Sequence, residues 1–546
     1  MPDREDRAGS VIVVGGGVTG IVAALELGRN GCDVLLLDRD APERFGGQAR
    51  ESFGGIFVVD TPLQRRHGVH DSVGLAWSDW QRFGELTPAQ VWPWRWAQAY
   101  VRDCRVQVYD WLRGMHVGFL PMPQWPERRG NSVPRWHIVW GTGHVLVDRL
   151  IEALQAQPRA CGRARLQTRF GHRVERLLFE AGRVCGVAGV QEDDGAPFEH
   201  RGAAVLVASG GITGDSQLVR QHWPGAAGAP AHLLIGAHRY GDGRLHRASE
   251  ALGAQVRDLD RMWNYAAGVR HWRPRQPDHG LSLVPPRSAL WLDARGRRFD
   301  PPLLAGWDTS EAVARIAAQG GTSWQVLNRR IALREFAVSG AEFNPSIRER
   351  RPLAFLRETL LGNRWLVDTL MANCQDIVHA ATPQALARRM NELAGGTQAA
   401  IAPAALLQAL QEFDATIGTD DAGRADAQRE HIRVARRWRG DRLRTASPGR
   451  ILDPGGGPLI AIRESIISRK SLGGIVTDLG GRVLQEGDRP IAGLYAAGEA
   501  AGFGGGGMNG RRALEGTFLG GCIYSARRAA QAIVADARAS GVPSGA

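Results

Sequence analysis

Gly15, Gly17 and Gly20 stand at G-x-G-x-x-G spacing directly after the apolar run Val11–Val14. That spacing serves backbone chemistry. Gly15 can make a tight turn, Gly17 lets bare N–H groups approach a pyrophosphate, and Gly20 lets a helix close onto a strand. Val18 and Thr19 open that helix, whose N-terminus favours a negative group. Asp38 ends a second apolar run, Val34–Leu37, about twenty residues on, where a carboxylate accepts bonds from ribose hydroxyls; Arg39 follows it. Together these residues describe a dinucleotide cradle. Other residues could handle protons or anions. Lys470 is the only lysine in a chain with 68 basic residues, which suggests a compact, titratable ammonium rather than a surface charge. Arg469 precedes it. Tyr265 is one of only six tyrosines. Asp242, between Gly241 and Gly243, suits a helix cap and an active-site role equally.

Elements that would position these groups can be read from periodicity. Val18, Ile21, Val22 and Leu25 repeat at helical spacing between two buried parallel strands. Paired glycines Gly46-Gly47 and Gly54-Gly55 then bracket a polar segment containing Gln48, bare backbone that could lie against a flat ring or a phosphate. Residues 77–140 form a tryptophan- and proline-rich insertion that suggests a packed unit lining an apolar pocket; His137 within it and His144 just after it read as structural, and Gly141 and Gly143 as near the cofactor. Residues 172–211 alternate like antiparallel strands and end in a buried run closed by Ala208, Ser209 and Gly210. From 256 to 444 strand signals fade and helical stretches dominate. After 450 strands return. Leu494–Ala497 ends in Gly498-Glu499, glycines fill 504–507 and 510, and a long helix starts near Glu515 with Phe518 and Leu519 on its inner side.

Composition narrows the function classes. A length of 546 residues and a hydrophobic content of 43% fit a globular chain of two or three domains. There is no run of eighteen apolar residues, so no membrane span is expected, and residues 1–10 have no signal-peptide core. The net charge of +12 is spread along the chain, without a basic tract, and implies no nucleic-acid partner. Six scattered cysteines without C-x-x-C spacing argue against zinc or iron–sulfur, leave no metal site and fit a reducing cytoplasm.

The order of these motifs resembles the flavoprotein superfamily of fumarate reductase, succinate dehydrogenase and 3-ketosteroid Δ1-dehydrogenase, nearest its FAD-binding dehydrogenases related to the ketosteroid enzymes. Stretches carrying it include GGQARESFGG, RKSLGG and GFGGGGMNGRRALEGTFLGGC. The resemblance implies an α/β fold: a Rossmann-type FAD-binding domain, a parallel sheet with antiparallel additions, interrupted by a mostly helical α+β capping domain. Its boundaries would be 1–255 and 445–546 for the FAD-binding domain and 256–444 for the cap. Gln48 stands where members with covalent flavin carry histidine, which implies non-covalent FAD. Val174 takes the place of the family's adenine-contacting strand residue. The turn at Ala208–Gly210 would close over adenine and ribose, and Glu499 would hold the ribityl chain. The helix carrying Phe518 and Leu519 would point its N-terminus at the flavin pyrimidine. Arg469 and Lys470 occupy the slot of the fumarate reductase HHT-x-GG motif, and Arg512, one or two positions off that family's arginine register, would clamp a carbonyl or carboxylate. Tyr265 is the candidate for the proton-abstracting tyrosine of the steroid branch, while that branch's tyrosine-to-glycine pattern in the glycine loop is absent: Phe503 stands there without a hydroxyl.

The implied activity is hydride transfer between a carbonyl-activated CH–CH or C=C group of an apolar ketone-like or acid substrate and flavin N5. The electron acceptor could be oxygen, a quinone or a redox protein. An FAD-dependent oxidase or oxygenase, and a non-catalytic flavin-binding protein, stand as alternatives.

Overall fold

The computed structural model describes residues 9–157, 165–225, 228–396, 400–417 and 426–539; the charged N-terminal stretch read above lies, up to residue 8, outside them. A six-stranded sheet organises the FAD-binding part. Its order is Arg482–Gln485, Arg489–Ala496, Ala204–Val207, Val11–Val14, Val34–Leu37 and Leu166–Arg169, parallel except for the first pair. The three central strands are apolar throughout because both faces are covered, the pattern required of parallel strands between helices. Leu494–Ala496 pairs with Val205–Val207, which in turn pairs with Val11–Val14, so the end of the chain completes the sheet begun by its start. The helix Thr517–Ala539 then packs on the helix Val18–Arg29. Residues 172–201 form the three-stranded antiparallel sheet expected from their alternation.

A second, seven-stranded sheet forms the covering part. The thirteen-residue strand Leu459–Ser471 is its hub and pairs with Leu233–Ile235, Met262–Arg270, Thr322–Asn328 and Ile377–Ala380. The fading of strand signals over 256–444 is therefore corrected. Thr322–Asn328 is buried at every residue, so it lacks the alternation that marks a half-exposed strand. Helices Thr309–Ala317, Pro383–Ala394 and Pro403–Ala415 flank this sheet where helical spacing placed them.

The tryptophan-rich insertion shares its core with the first strand and helix. Trp80 and Trp96 are fully buried, and their indole N–H groups donate to Met508 O at 3.0 Å and Asp478 O at 3.0 Å. A Cβ on Gly504 would sit 2.5 Å from the Trp96 ring, so this glycine is bare to admit an indole. Of the tryptophans, Trp136 alone lines the main cavity among the described residues. His137 is buried between Thr61 Oγ1 and Arg135 O, each at 2.8 Å, and burial pushes its imidazole down to about 4. Gly143 packs on Ala49 O rather than on the cavity. No helix among the described residues is long and apolar enough to cross a membrane.

Candidate active site

The two glycine turns meet. Gly15 has φ +113° and its N–H donates to Leu37 O at 2.8 Å, which swings the chain from the first strand into the helix at Val18. A Cβ on Gly17 would meet nothing within 4 Å, so this backbone faces open space at the helix N-terminus. Gly498, at φ +66°, closes the last parallel strand, and a Cβ there would strike Thr19 Oγ1 at 2.2 Å. Gly498→Ala should therefore lower the flavin-to-protein absorbance ratio of purified protein and weaken the fold by about 1–3 kcal/mol; an unchanged ratio and melting temperature would refute this.

One continuous cleft runs between these turns. Gly15, Gly17, Val18, Thr19, Asp38, Arg39, Gly46, Gly47, Gln48, Gly54, Gly55, Val174, Ala208, Ser209, Gly210, Glu499, Phe518 and Leu519 all line it. Gly20 lies beneath, with its Cβ position 1.9 Å from Gly15 O, which makes it a packing glycine. Burial raises the Asp38 carboxyl, opposed by the Asp40 N–H. Arg39 pairs with Asp242 at 2.8 Å and with Glu192. Asp242 Oδ1 also accepts the Arg244 N–H at 3.0 Å, fixing the start of the helix Arg244–Glu250. Glu499 Oε1 accepts the Ser471 N–H at 2.9 Å, and burial pushes its carboxyl up to about 7. Bare backbone at Gly17 and Gly210, both open to the cleft, with carboxylates at Asp38 and Glu499, is the donor set that a dinucleotide with ribose and ribityl hydroxyls requires. FAD fits these residues.

A cluster of proton-bearing side chains lies on one wall of this cleft. Tyr265, on the strand Met262–Arg270, and Lys470, near the end of the hub strand, are brought together by antiparallel pairing that sets Trp263 opposite Lys470. Lys470 Nζ donates to Tyr265 Oη at 2.9 Å, and Tyr265 Oη donates to Glu515 Oε1 at 2.5 Å. Trp263 Nε1 donates to the same carboxylate oxygen at 2.9 Å. The ammonium also lies 4.0 Å from the centre of the Phe518 ring. Burial pushes Lys470 down to about 8, with Glu515 and Glu499 opposing and Arg469 assisting. Burial, then the Glu515 charge, hold the Tyr265 phenol well above its ordinary value. Glu515 was not singled out from the sequence as a site residue. Its one signal is that no other carboxylate stands between Glu499 and Asp536.

The arginines divide. Arg469 lines the cleft and donates from Nη1 to Gly236 O at 2.6 Å, while its buried Nε has no partner among the described residues. Gln48 bridges Arg469 O and the His238 N–H through two long contacts of 3.4 Å. Arg512 is not brought to the cleft: its guanidinium lies 3.7 Å from Glu85 and 3.8 Å from Asp308, over the Phe83 ring. A second cleft, sharing Gln48, His238 and Arg469 with the first, opens between the Gly46–Gly47 loop and the covering part.

Residues 10–519 match the family described as FAD binding domain. The chain belongs to that family. This flavoprotein is 42% identical to a KsdD-like steroid dehydrogenase of Mycobacterium tuberculosis, over 98% of its own length and 97% of the relative's. Its fold is also that of 3-ketosteroid-Δ4-(5α)-dehydrogenase from Rhodococcus jostii RHA1, with a TM-score of 0.61, 19% identity and 96% of each chain covered. The 3-ketosteroid Δ1-dehydrogenase from Sterolibacterium denitrificans superposes with a TM-score of 0.66 at 17% identity, covering 96% of this chain and 99% of that one. The flavoprotein is an FAD-dependent oxidoreductase acting on CH–CH groups beside a carbonyl.

Proposed function

We propose that this flavoprotein moves hydrogen across the carbon–carbon bond beside the carbonyl of a steroid-like, largely apolar ketone, with Tyr265 carrying the proton. The observation that supports this most is the Tyr265 oxygen held on the cleft wall between an ammonium at 2.9 Å and a carboxylate at 2.5 Å. When bound, FAD supplies the hydride acceptor or donor. The residues supply the rest. To take a proton from the carbon α to the carbonyl, the phenol must first shed its own, and Glu515 Oε1 is placed to receive it. Lys470, kept cationic below about pH 8, stabilises the negative charge then left on Tyr265 Oη. In the opposite direction the same phenol donates. Arg469 offers a donor for the carbonyl oxygen. Gln48 provides no nucleophilic side chain for a flavin tether, so in this reading FAD is held non-covalently. The thiols of Cys32, Cys104, Cys185, Cys374 and Cys522 are free, which suits a cytoplasmic setting.

Anaerobic titration tests the proposal. Saturated 3-ketosteroids should bleach the bound flavin, and succinate should not. Bleaching by dicarboxylates alone, or by no ketone in a broad panel, would overturn it.

A further inference from the structure

The covering part carries an apolar surface that the catalytic reading leaves unused. The helix Pro352–Leu361 has no buried residue, and the helix Arg364–Asn373 follows it closely. Leu353 is 81% exposed, Leu361 76%, Leu360 56%, Leu356 53% and Trp365 48%. Leu353, Leu356, Leu360 and Leu361 lie at i, i+3, i+7 and i+8 on one helix face, and Trp365 stands in the first turn of the next helix. A contiguous apolar patch of this kind marks a docking surface.

The charge around the patch identifies its partner. Between 348 and 364 stand Arg348, Arg350, Arg351, Arg357 and Arg364 against Glu349 and Glu358. Both acids are already engaged: Glu349 by Arg348 at 2.8 Å and Arg351 at 2.6 Å, and Glu358 by Ser346 Oγ at 2.5 Å. Arg350, Arg357 and Arg364 are exposed and have no ion pair among the described residues. An apolar strip flanked by unpaired guanidiniums, with an indole at its edge, suits the headgroup layer of an anionic membrane. A second copy fits worse, because an isologous contact would set this net-positive strip against the same net-positive strip. The patch also adjoins the active site. Arg348 lines the second cleft, and Phe355 packs on Trp140 at 5.6 Å and in one cluster with Phe53, a residue of the flavin cleft wall.

We propose that residues 352–365 dock this flavoprotein onto the surface of an anionic phospholipid bilayer, which holds the second cleft beside a store of apolar substrate. The docking stands on the patch alone; the role given to the lipid rests on the ketone reading above.

Co-sedimentation of the holoprotein with vesicles tests the docking. Binding should be roughly tenfold or more stronger to phosphatidylglycerol–phosphatidylcholine vesicles than to phosphatidylcholine alone, and should weaken in high salt. The combined variant Leu353→Ser, Leu356→Ser, Leu360→Ser, Leu361→Ser should lose vesicle binding while keeping its flavin spectrum and its turnover of a dispersed substrate. Arg357→Gln with Arg364→Gln should weaken binding to the anionic vesicles specifically. Equal, weak sedimentation with both vesicle types would overturn the proposal. So would a concentration-dependent dimer, seen by light scattering, that the serine variant dissolves while vesicles bind neither form. Vesicle binding is read without turnover, so its failure leaves the ketone reaction standing. A holoprotein that binds vesicles but oxidises no ketone removes the reaction and keeps the docking.

Discussion

Tyr265→Phe should yield a flavin-loaded protein that turns over its ketone roughly 10²–10⁴-fold more slowly. The substitution removes one oxygen atom. The phenylalanine ring keeps the packing of the wall, and the glycine turns that cradle FAD lie elsewhere on the cleft. What disappears is the atom that links Lys470 to Glu515. Glu515→Gln should cost less, because its amide oxygen still accepts from Trp263 but cannot take up a proton. The double variant should be no slower than Tyr265→Phe alone, since groups that act as one unit are strongly non-additive. Flavin-normalised kcat for the four proteins decides the matter. Losses that multiply would mean that the two groups act separately.

Turnover in the dehydrogenating direction should fall as pH rises through about 8, the value to which burial brings Lys470. Below it the ammonium donates to Tyr265 Oη at 2.9 Å and favours the negative oxygen. Above it the neutral amine stabilises that oxygen far less. Lys470→Met should remove the alkaline limb and leave a flat profile, lower by roughly 10–100-fold, the loss of a charge-assisted hydrogen bond. Lys470→Arg should push the limb out of range, since a guanidinium stays protonated. Profiles of kcat from about pH 6 to about pH 10 test this. A limb that survives in Lys470→Met would assign it to another group.

The FAD-binding sheet was readable because its turns make demands that few residues meet. Gly15 and Gly498 both sit at positive φ, the strand before Gly15 is apolar at every position, and the one before Gly498 is buried over its last three residues. The covering sheet was less readable. Its strands are buried on both faces or join partners across long stretches of chain, so neither alternation nor local spacing marks them. Lys470 drew attention by its rarity in an arginine-rich chain. Glu515 did not, because a single carboxylate has no period and Tyr265, its partner, is 250 residues away. Arg512 shows the limit of register. Its side chain lies towards Glu85 and Asp308, outside the cleft, although the chain around it follows the family's glycine-rich loop. The density of tryptophan was evident, but its use in clamping the glycine loop at Gly504 depends on contacts far apart in the chain.

Single-turnover reduction of the bound flavin, followed anaerobically after mixing with a saturated 3-ketosteroid, isolates the step in which Tyr265 acts. The wild-type flavin should bleach in one phase, and the Tyr265→Phe flavin roughly 10²–10⁴-fold more slowly at saturating ketone. Equal rates in the two proteins would remove Tyr265, and with it the Lys470–Glu515 pair, from the chemistry.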